Sequence, residues 1–241
     1  MYRSMTEIPG YTVTTTDGES GKVSDFLFDD KERIVRYVVV RTGGWLMGRD
    51  VLISPVSIKD ADHKTKNLTT VLTKKVIENA PGVDTAKPVS RQQEMILVSY
   101  FDWPMYWAPI LIPDVTNEAT SAQIKEVAEA EWDTHLRSVR ELVGYHINCI
   151  GDTIGHVEDL IVDLESWIVR YLVIDTANWL PGKKVIVGYD WLTDIRWDHK
   201  SVHVDLTRKQ IETAPPYSSR TSINRDYEES LYDFYGRPTY W

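Results

Sequence analysis

The sequence predicts a mainly β protein: two tandem small antiparallel β-barrels, each with a short helix and an aromatic C-terminal extension. Three observations support this fold class. The 241 residues repeat at a spacing of 134 residues, and each copy is rich in short runs of Val, Ile, Phe and Tyr separated by polar turns. The hydrophobic fraction of 42% and the charged fraction of 26% are ordinary for a folded chain. The sequence contains no run of eighteen apolar residues, so it does not predict a transmembrane helix.

The repeat runs without a gap from the first residues to the last. The segments that match best, each shifted by 134 positions, are 21–37 with 155–171, 73–81 with 207–215, and Pro104-x-Tyr106-Trp107 with Pro238-x-Tyr240-Trp241. We therefore predict two homologous halves, 1–107 and 135–241, joined by a linker over 108–134.

Charge and cysteine content limit the function classes. The net charge is −9, and more than half of it lies in the linker, which contains six acidic residues and one lysine. An acidic chain argues against a nucleic-acid partner. We interpret the acidic linker as a solvent-exposed connector between the halves. The single cysteine, Cys149, fits a reducing compartment, so we expect a cytoplasmic protein with a buried, inert thiol.

Strand signals dominate each half. The runs 23–29 and 34–41 read as a β-hairpin around the polar turn 30–33, and 51–53 and 68–72 read as further short strands. Thr73 to Ala80 reads as one short helix that ends before Pro81. Strands this short leave edges exposed, so we expect each sheet to close into a barrel.

The segment 151–190 and its counterpart 17–55 resemble the PRC-barrel domain. The motif G-x-V-x-D followed by R-Y-[LV]-V-[IV] carries the resemblance, which covers nearly the whole chain outside the linker. The family is named after the cytoplasmic part of the photosynthetic reaction centre H subunit. The resemblance implies a bacterial adaptor module that binds other macromolecules and has no general catalytic residues. It also leaves a peripheral role in photosynthesis or electron transport as an alternative.

One charged cluster recurs in both halves, and two interpretations compete for it. The acids could form a carboxylate pair for acid–base catalysis. Alternatively, an arginine between two acids forms a structural strut, because an unpaired buried charge is costly. We favour the strut, and its residues are Asp25, Asp29 and Arg36 with their counterparts Asp159, Asp163 and Arg170.

The aromatic tails are the candidate partner-binding residues. Tyr and Trp are typical interface anchors, and apolar area this large is seldom left exposed. The tails could fold back onto their own barrel, dock onto a second subunit or a protein partner, or insert at a membrane interface. The residues are Tyr100, Trp103, Tyr106, Trp107, Tyr232, Tyr235, Tyr240 and Trp241.

No further motif predicts chemistry. The histidines of the second half lack the spacing of three or four converging metal ligands, so we expect no metal and no cofactor. Trp45 and Trp179 lie next to glycine-containing turns and could contact a ligand. More often, a tryptophan next to a turn fills one end of a β-barrel. We therefore predict a non-enzymatic adaptor or scaffold that binds a protein or itself. A small-ligand binder or enzyme at a groove between the barrels is the alternative.

Overall fold

The computed structural model describes residues 1–43, 48–83, 89–107, 136–176 and 182–241. The chain forms two compact units. Unit 1 contains residues 1–8, 32–35 and 138–241, and unit 2 contains residues 9–31 and 36–137. The first eight residues thus belong to unit 1, although in the sequence they are part of the first half, 1–107.

Strands are the predominant regular secondary structure of the described chain, which confirms the predicted mainly β class. In chain order the strands are β1 (Tyr2–Ser4), β2 (Thr12–Thr15), β3 (Gly18–Asp29), β4 (Ile34–Thr42), β5 (Arg49–Ile53), β6 (Ile58–Asp62), β7 (Asn67–Thr70), β8 (Leu136–Ser138), β9 (His146–Ile150), β10 (Asp152–Asp163), β11 (Ile168–Asp175), β12 (Lys184–Gly188), β13 (Leu192–Arg196) and β14 (Ser201–Thr207).

Five α-helices accompany the strands in the described part of the chain: α1 (Lys74–Asn79), α2 (Arg91–Phe101), α3 (Val139–Leu142), α4 (Arg208–Thr213) and α5 (Arg225–Tyr235). Two 3₁₀ helices span Pro55–Ser57 and Tyr189–Trp191. The helix predicted after Thr73 is confirmed, since the Thr73 side chain accepts a hydrogen bond from the backbone amide of Val76 and caps α1. None of these helices is long and apolar enough to cross a bilayer.

The expectation of purely antiparallel sheets needs a correction. β7 runs parallel to β2, with Val13 opposite Leu68, and β14 runs parallel to β9 in the same way. Most other neighbouring strands, such as β4 with β5, are antiparallel. Alternation of apolar residues identifies strands and their buried faces but carries no information about the direction of a distant neighbour.

The expected closure of each sheet is wrong as well. In the described residues of unit 2 the strand pairs follow the order β5-β4-β3-β2-β7-β6, and no pair joins β5 to β6. The 3₁₀ helix Pro55–Ser57 stands between these two strands. Trp103, which follows α2, packs there and donates its indole N–H to Ser57 Oγ at 2.9 Å. A tail residue therefore covers the opening that we expected strand pairing to close.

Unit 1 places aromatic residues at the equivalent position. Ser57 corresponds to Trp191 in the second half. The ring of Trp191 lies 5.2 Å from that of Tyr232 and 4.8 Å from that of Tyr235, both on α5. All three side chains are buried. The indole is thus supplied by the tail in one unit and by the 3₁₀ helix in the other.

Two glycines fix the path of the long strands. Gly21 and Gly155 occupy the same repeat position and have φ values of 146° and 65°. A Cβ atom at either glycine would overlap a backbone carbonyl, that of Arg41 or of Asp175. Both the backbone conformation and this close approach therefore require glycine at these positions.

Candidate functional site

A buried glutamate stands at the same repeat position in each half. Glu94 on α2 and Glu228 on α5 are 0% and 2% exposed. The buried face of α5 contains Glu228, Leu231, Tyr232 and Tyr235, at spacings of three, four and seven residues. Each helix therefore directs a carboxylate along with its apolar side chains into the core.

In unit 2, Glu94 is held by three donors. Its Oε1 accepts hydrogen bonds from the phenols of Tyr37 at 3.0 Å and Tyr106 at 2.6 Å. Its Oε2 accepts one from the Arg91 guanidinium at 2.8 Å. A carboxylate is an acceptor-only group, so these donors satisfy it without leaving a buried charge unpaired.

Unit 1 repeats the arrangement with one additional phenol. Glu228 Oε1 accepts from Tyr171 at 2.5 Å, from Tyr240 at 2.8 Å and from Tyr2 at 2.6 Å. Arg225 Nη1 lies 3.3 Å from Oε2. Tyr2 corresponds to Leu136 in the repeat, so unit 2 has a leucine where unit 1 has this third phenol.

Burial and the neighbouring carboxylate keep these phenols protonated. Burial, then Glu94, raise the pKa of Tyr37 and of Tyr106. Burial and the hydrogen bond to Glu228 raise the pKa of Tyr171. Protonated phenols remain hydrogen-bond donors throughout the physiological range. The arrangement therefore fastens the C-terminal tail to its unit.

Arginines and aromatic rings stack outward from each glutamate. In unit 2 the Arg36 guanidinium lies 3.8 Å from the centre of the Tyr106 ring, and Arg91 lies 4.3 Å from that of Trp107. We call the residues Arg36, Arg91, Tyr106 and Trp107 the unit 2 cluster. Cation–π contacts of this kind contribute about 0.5–2 kcal/mol each, depending on exposure.

The unit 1 cluster consists of the repeat equivalents Arg170, Arg225, Tyr240 and Trp241. Arg170 lies 4.2 Å from the centre of the Tyr240 ring, and Arg225 lies 4.0 Å from that of Trp241. The Trp241 side chain is 44% exposed. The outermost ring is therefore accessible, while the phenol beneath it is held by Glu228.

The predicted tail residues separate into buried and accessible groups. Trp103, Tyr232 and Tyr235 are buried and pack within their own unit. Tyr100 is 40% exposed, with its hydroxyl bonded to the Val76 carbonyl at 2.9 Å. Of the remaining residues, Trp241 is exposed, whereas Tyr106, Trp107 and Tyr240 are half-buried. The tails thus lie against their own units, which is one of the three arrangements considered from the sequence.

The charged cluster forms differently in the two halves. In unit 2, Arg36 Nη2 lies 3.8 Å from Asp29 Oδ2, and Asp25 accepts a hydrogen bond from the Phe26 amide. In unit 1, Arg170 stacks on Tyr240, whereas Asp163 accepts from the amino group of Met1 at 2.7 Å.

Asp159 lies against the N-terminal segment. It accepts hydrogen bonds from Ser4 Oγ, from the Thr6 amide at 3.1 Å and from the Leu160 amide at 2.7 Å. Desolvation outweighs these bonds and raises the pKa of its carboxyl group above the usual range.

The structure brings together one set of potential metal ligands that sequence analysis missed. Donor atoms of His156, Glu158 and Asp175 lie within 4.8 Å of one another. His156 and Glu158 share one face of β10, and Asp175 is the cross-strand partner of His156. The i, i+2 spacing on a strand was the available signal. Lys184 already neutralises Glu158, so the set has its own cation.

A cavity of about 380 Å³ in unit 1 borders this set. Its polar lining includes Glu158, Asp159, Lys184 and Tyr217. Trp45 and Trp179, which we considered as ring contacts for a ligand, lie outside the described residues, as does the linker 108–134. Cys149 is buried, as expected, and burial raises the pKa of its thiol.

The fold and the clusters define a class: a duplicated, mainly β protein whose halves each fasten an aromatic tail through a buried glutamate. The family model for the PRC-barrel domain matches residues 2–77 and 137–211, so the chain belongs to the PRC-barrel family, as its sequence predicts. PRC-barrel domains are protein-interaction modules. Helices α2 and α5 and both tail ends lie outside the matched residues.

A relative in Deinococcus radiodurans, described as an uncharacterized protein, is 33% identical over 95 residues. The match covers 37% of this chain and 32% of that relative, so the chain spans about a third of the relative's length.

Proposed function

We propose that this protein is a non-enzymatic adaptor that binds another protein through the unit 1 and unit 2 clusters. The observation that carries the proposal is that an exposed tryptophan ring stacks on an arginine, and this arginine is held in place by a buried glutamate. Trp241 is 44% exposed, yet it stacks on Arg225, which pairs with the buried Glu228. Preorganised rings lose little conformational entropy when they bind.

The chemistry of these clusters supports a protein partner. Trp, Tyr and Arg are the residue types that dominate binding energy at protein interfaces. Each cluster presents an aromatic face beside a guanidinium, which suits a partner surface with apolar and acidic groups. The net charge of −9 disfavours a phosphate backbone as the main ligand. A single, buried cysteine forms no internal disulfide, which supports a reducing, cytoplasmic setting for this adaptor.

The test compares surface variants, because truncating a tail would also remove its buried anchor. Trp107→Ala and Trp241→Ala are made in the full chain. Ile150→Ala is the control, since Ile150, like Trp241, is exposed and apolar. Proteins captured by the wild type are identified and purified, and their dissociation constants are measured with each variant. We expect at least a tenfold loss of affinity for one tryptophan variant, typical of an interface anchor, and no change for the control.

Equal affinities for all variants, with unchanged circular dichroism, would move the binding surface away from the clusters. Binding lost equally in the Ile150 variant would also contradict the proposal. A surface elsewhere on the sheets would then become the candidate.

A further inference from the structure

Residues 1–8 complete unit 1 as an edge segment. β1 pairs with β10 in antiparallel register, with Tyr2 opposite Asp163 and Ser4 opposite Ile161. The Met5 amide extends this pairing by donating to the Leu160 carbonyl at 2.9 Å. The segment therefore uses main-chain hydrogen bonds to occupy an edge of β10 that would otherwise expose unpaired groups.

Side chains of the segment occupy distinct sites in unit 1. Tyr2 reaches Glu228, and Ser4 reaches the buried Asp159. Met5 and Ile8 are 0% and 1% exposed. Tyr2 and Ser4, two residues apart on β1, thus reach different carboxylates while the backbone pairs with a strand, which is how proteins recognise extended peptides by strand addition.

The segment is joined to the rest of the chain through a short turn. Pro9 and Gly10 follow it, and Gly10 has a φ of 93° with no atom near the position of a Cβ. Its contacts with unit 1 depend on the residues of the segment, and none requires this connection. An identical segment from another molecule would make the same contacts, which is the condition for domain swapping.

We propose that unit 1 carries a peptide-binding groove along β10, bounded by Asp159 and Glu228, whose partner is residues 1–8 of a second copy of this chain. This inference is independent of the proposed adaptor function, which rests on the tail clusters. The chain's own segment competes at an effective concentration on the order of millimolar, as expected for a short tether. A second copy at micromolar concentration therefore replaces it only rarely, unless the tether is opened.

The experiment opens the tether in the full chain. A specific protease site is inserted between Pro9 and Gly10, the protein is cleaved, and a fluorescent peptide with the sequence of residues 1–9 is added. We expect the label to co-elute with the protein and to be displaced by unlabelled peptide. A Ser4→Ala peptide should bind roughly tenfold weaker, because it loses a hydrogen bond to a charged group. A Met5→Asp peptide should not bind, and a Glu7→Gln peptide should bind like the wild type.

The proposal is overturned if the label fails to co-elute while circular dichroism stays native. It is also overturned if the wild-type, Ser4→Ala and Met5→Asp peptides bind equally. If cleavage unfolds the protein, the same peptide is added to the uncut full-length Met5→Asp variant, whose own segment no longer competes because it cannot bury the charged side chain. Absence of binding there overturns the proposal too.

Discussion

At the scale of single residues, the two buried glutamates determine whether each tail stays in place. Glu94→Ala would remove a carboxylate that accepts from Tyr37, Tyr106 and Arg91, and would leave their donors in the core. We expect the free energy of unfolding to fall by about 3 kcal/mol, as when one partner of a buried charged network is removed. Urea unfolding followed by tryptophan fluorescence measures the loss.

The control for this prediction is an exposed glutamate on the same helix, α5. Glu229 is exposed, so Glu229→Ala should change stability by no more than about 0.5 kcal/mol, whereas Glu228→Ala should resemble Glu94→Ala. Similar small changes in all three variants would show that the buried carboxylates do not hold the tails.

A second residue-scale prediction concerns Asp159. Because burial raises its pKa in the folded state, the folded chain binds this proton more tightly than the unfolded chain does. The ionised carboxylate therefore costs stability at neutral pH, and this cost disappears as the pH falls through the raised pKa. Asp159→Asn keeps an acceptor for the Thr6 and Leu160 amides and places a donor toward Ser4 Oγ.

We expect Asp159→Asn to melt at a higher temperature than the wild type at pH 7, with the difference shrinking toward acidic pH. Thermal melts between pH 4 and pH 8 measure this. The exposed Asp60→Asn serves as the control and should show no such trend. A difference that stays constant with pH would contradict the assigned cause.

The sequence predicted which charged residues recur but not all their contacts. We expected Arg170 to lie between Asp159 and Asp163. In the structure the pairing of β10 with β11 shifts by one residue between Ile161 and Val162, and Val173 lies opposite Asp159. Such bulges depend on local backbone packing, which side-chain alternation does not encode.

At the scale of elements, the tail helices were missed because a charged residue interrupts their apolar pattern. Glu94 and Glu228 occupy core positions where the helical period calls for an apolar side chain, so α2 and α5 did not read as amphipathic helices. Their caps were visible: Ser90 and Gln93 form a capping box, and Gly236 ends α5 in a left-handed conformation.

The strand-scale prediction concerns the close approach at Gly155. Gly155→Ala would force a methyl group against the Asp175 carbonyl and strain a backbone with a φ of 65°. We expect a loss of more than about 3 kcal/mol or failure to fold. Gly144→Ala is the matched control, since its φ is 92° and nothing lies near its Cβ position. It should cost only about 1–2 kcal/mol of backbone strain. Equal losses of stability in the two variants would mean that backbone strain alone, without the close approach to Asp175, explains the requirement for glycine at position 155.

At the scale of the whole molecule, the duplication explains why each half carries an aromatic tail. In unit 2, Trp103 donates a hydrogen bond to the 3₁₀ helix between β5 and β6, two strands that do not pair with each other in the described residues, and in unit 1 Trp191 packs against α5. The repeat was predictable from sequence because it preserves residue types at a fixed spacing. The membership of residues 1–8 in unit 1 was not predictable, because both halves offer equivalent strands.

The last prediction tests that membership. Unit 1 needs residues 1–8, including the buried Met5 and Ile8, but these residues are covalently part of the first half. We therefore expect the fragments 1–107 and 135–241 to be individually less stable than the full chain and to associate when mixed. Size-exclusion chromatography with light scattering should detect a complex, and its melting temperature should exceed that of either fragment. A first fragment carrying Met5→Asp should associate weakly, whereas Glu7→Gln should leave association intact. Two stable monomeric fragments that ignore each other would contradict the view that residues 1–8 are essential to unit 1.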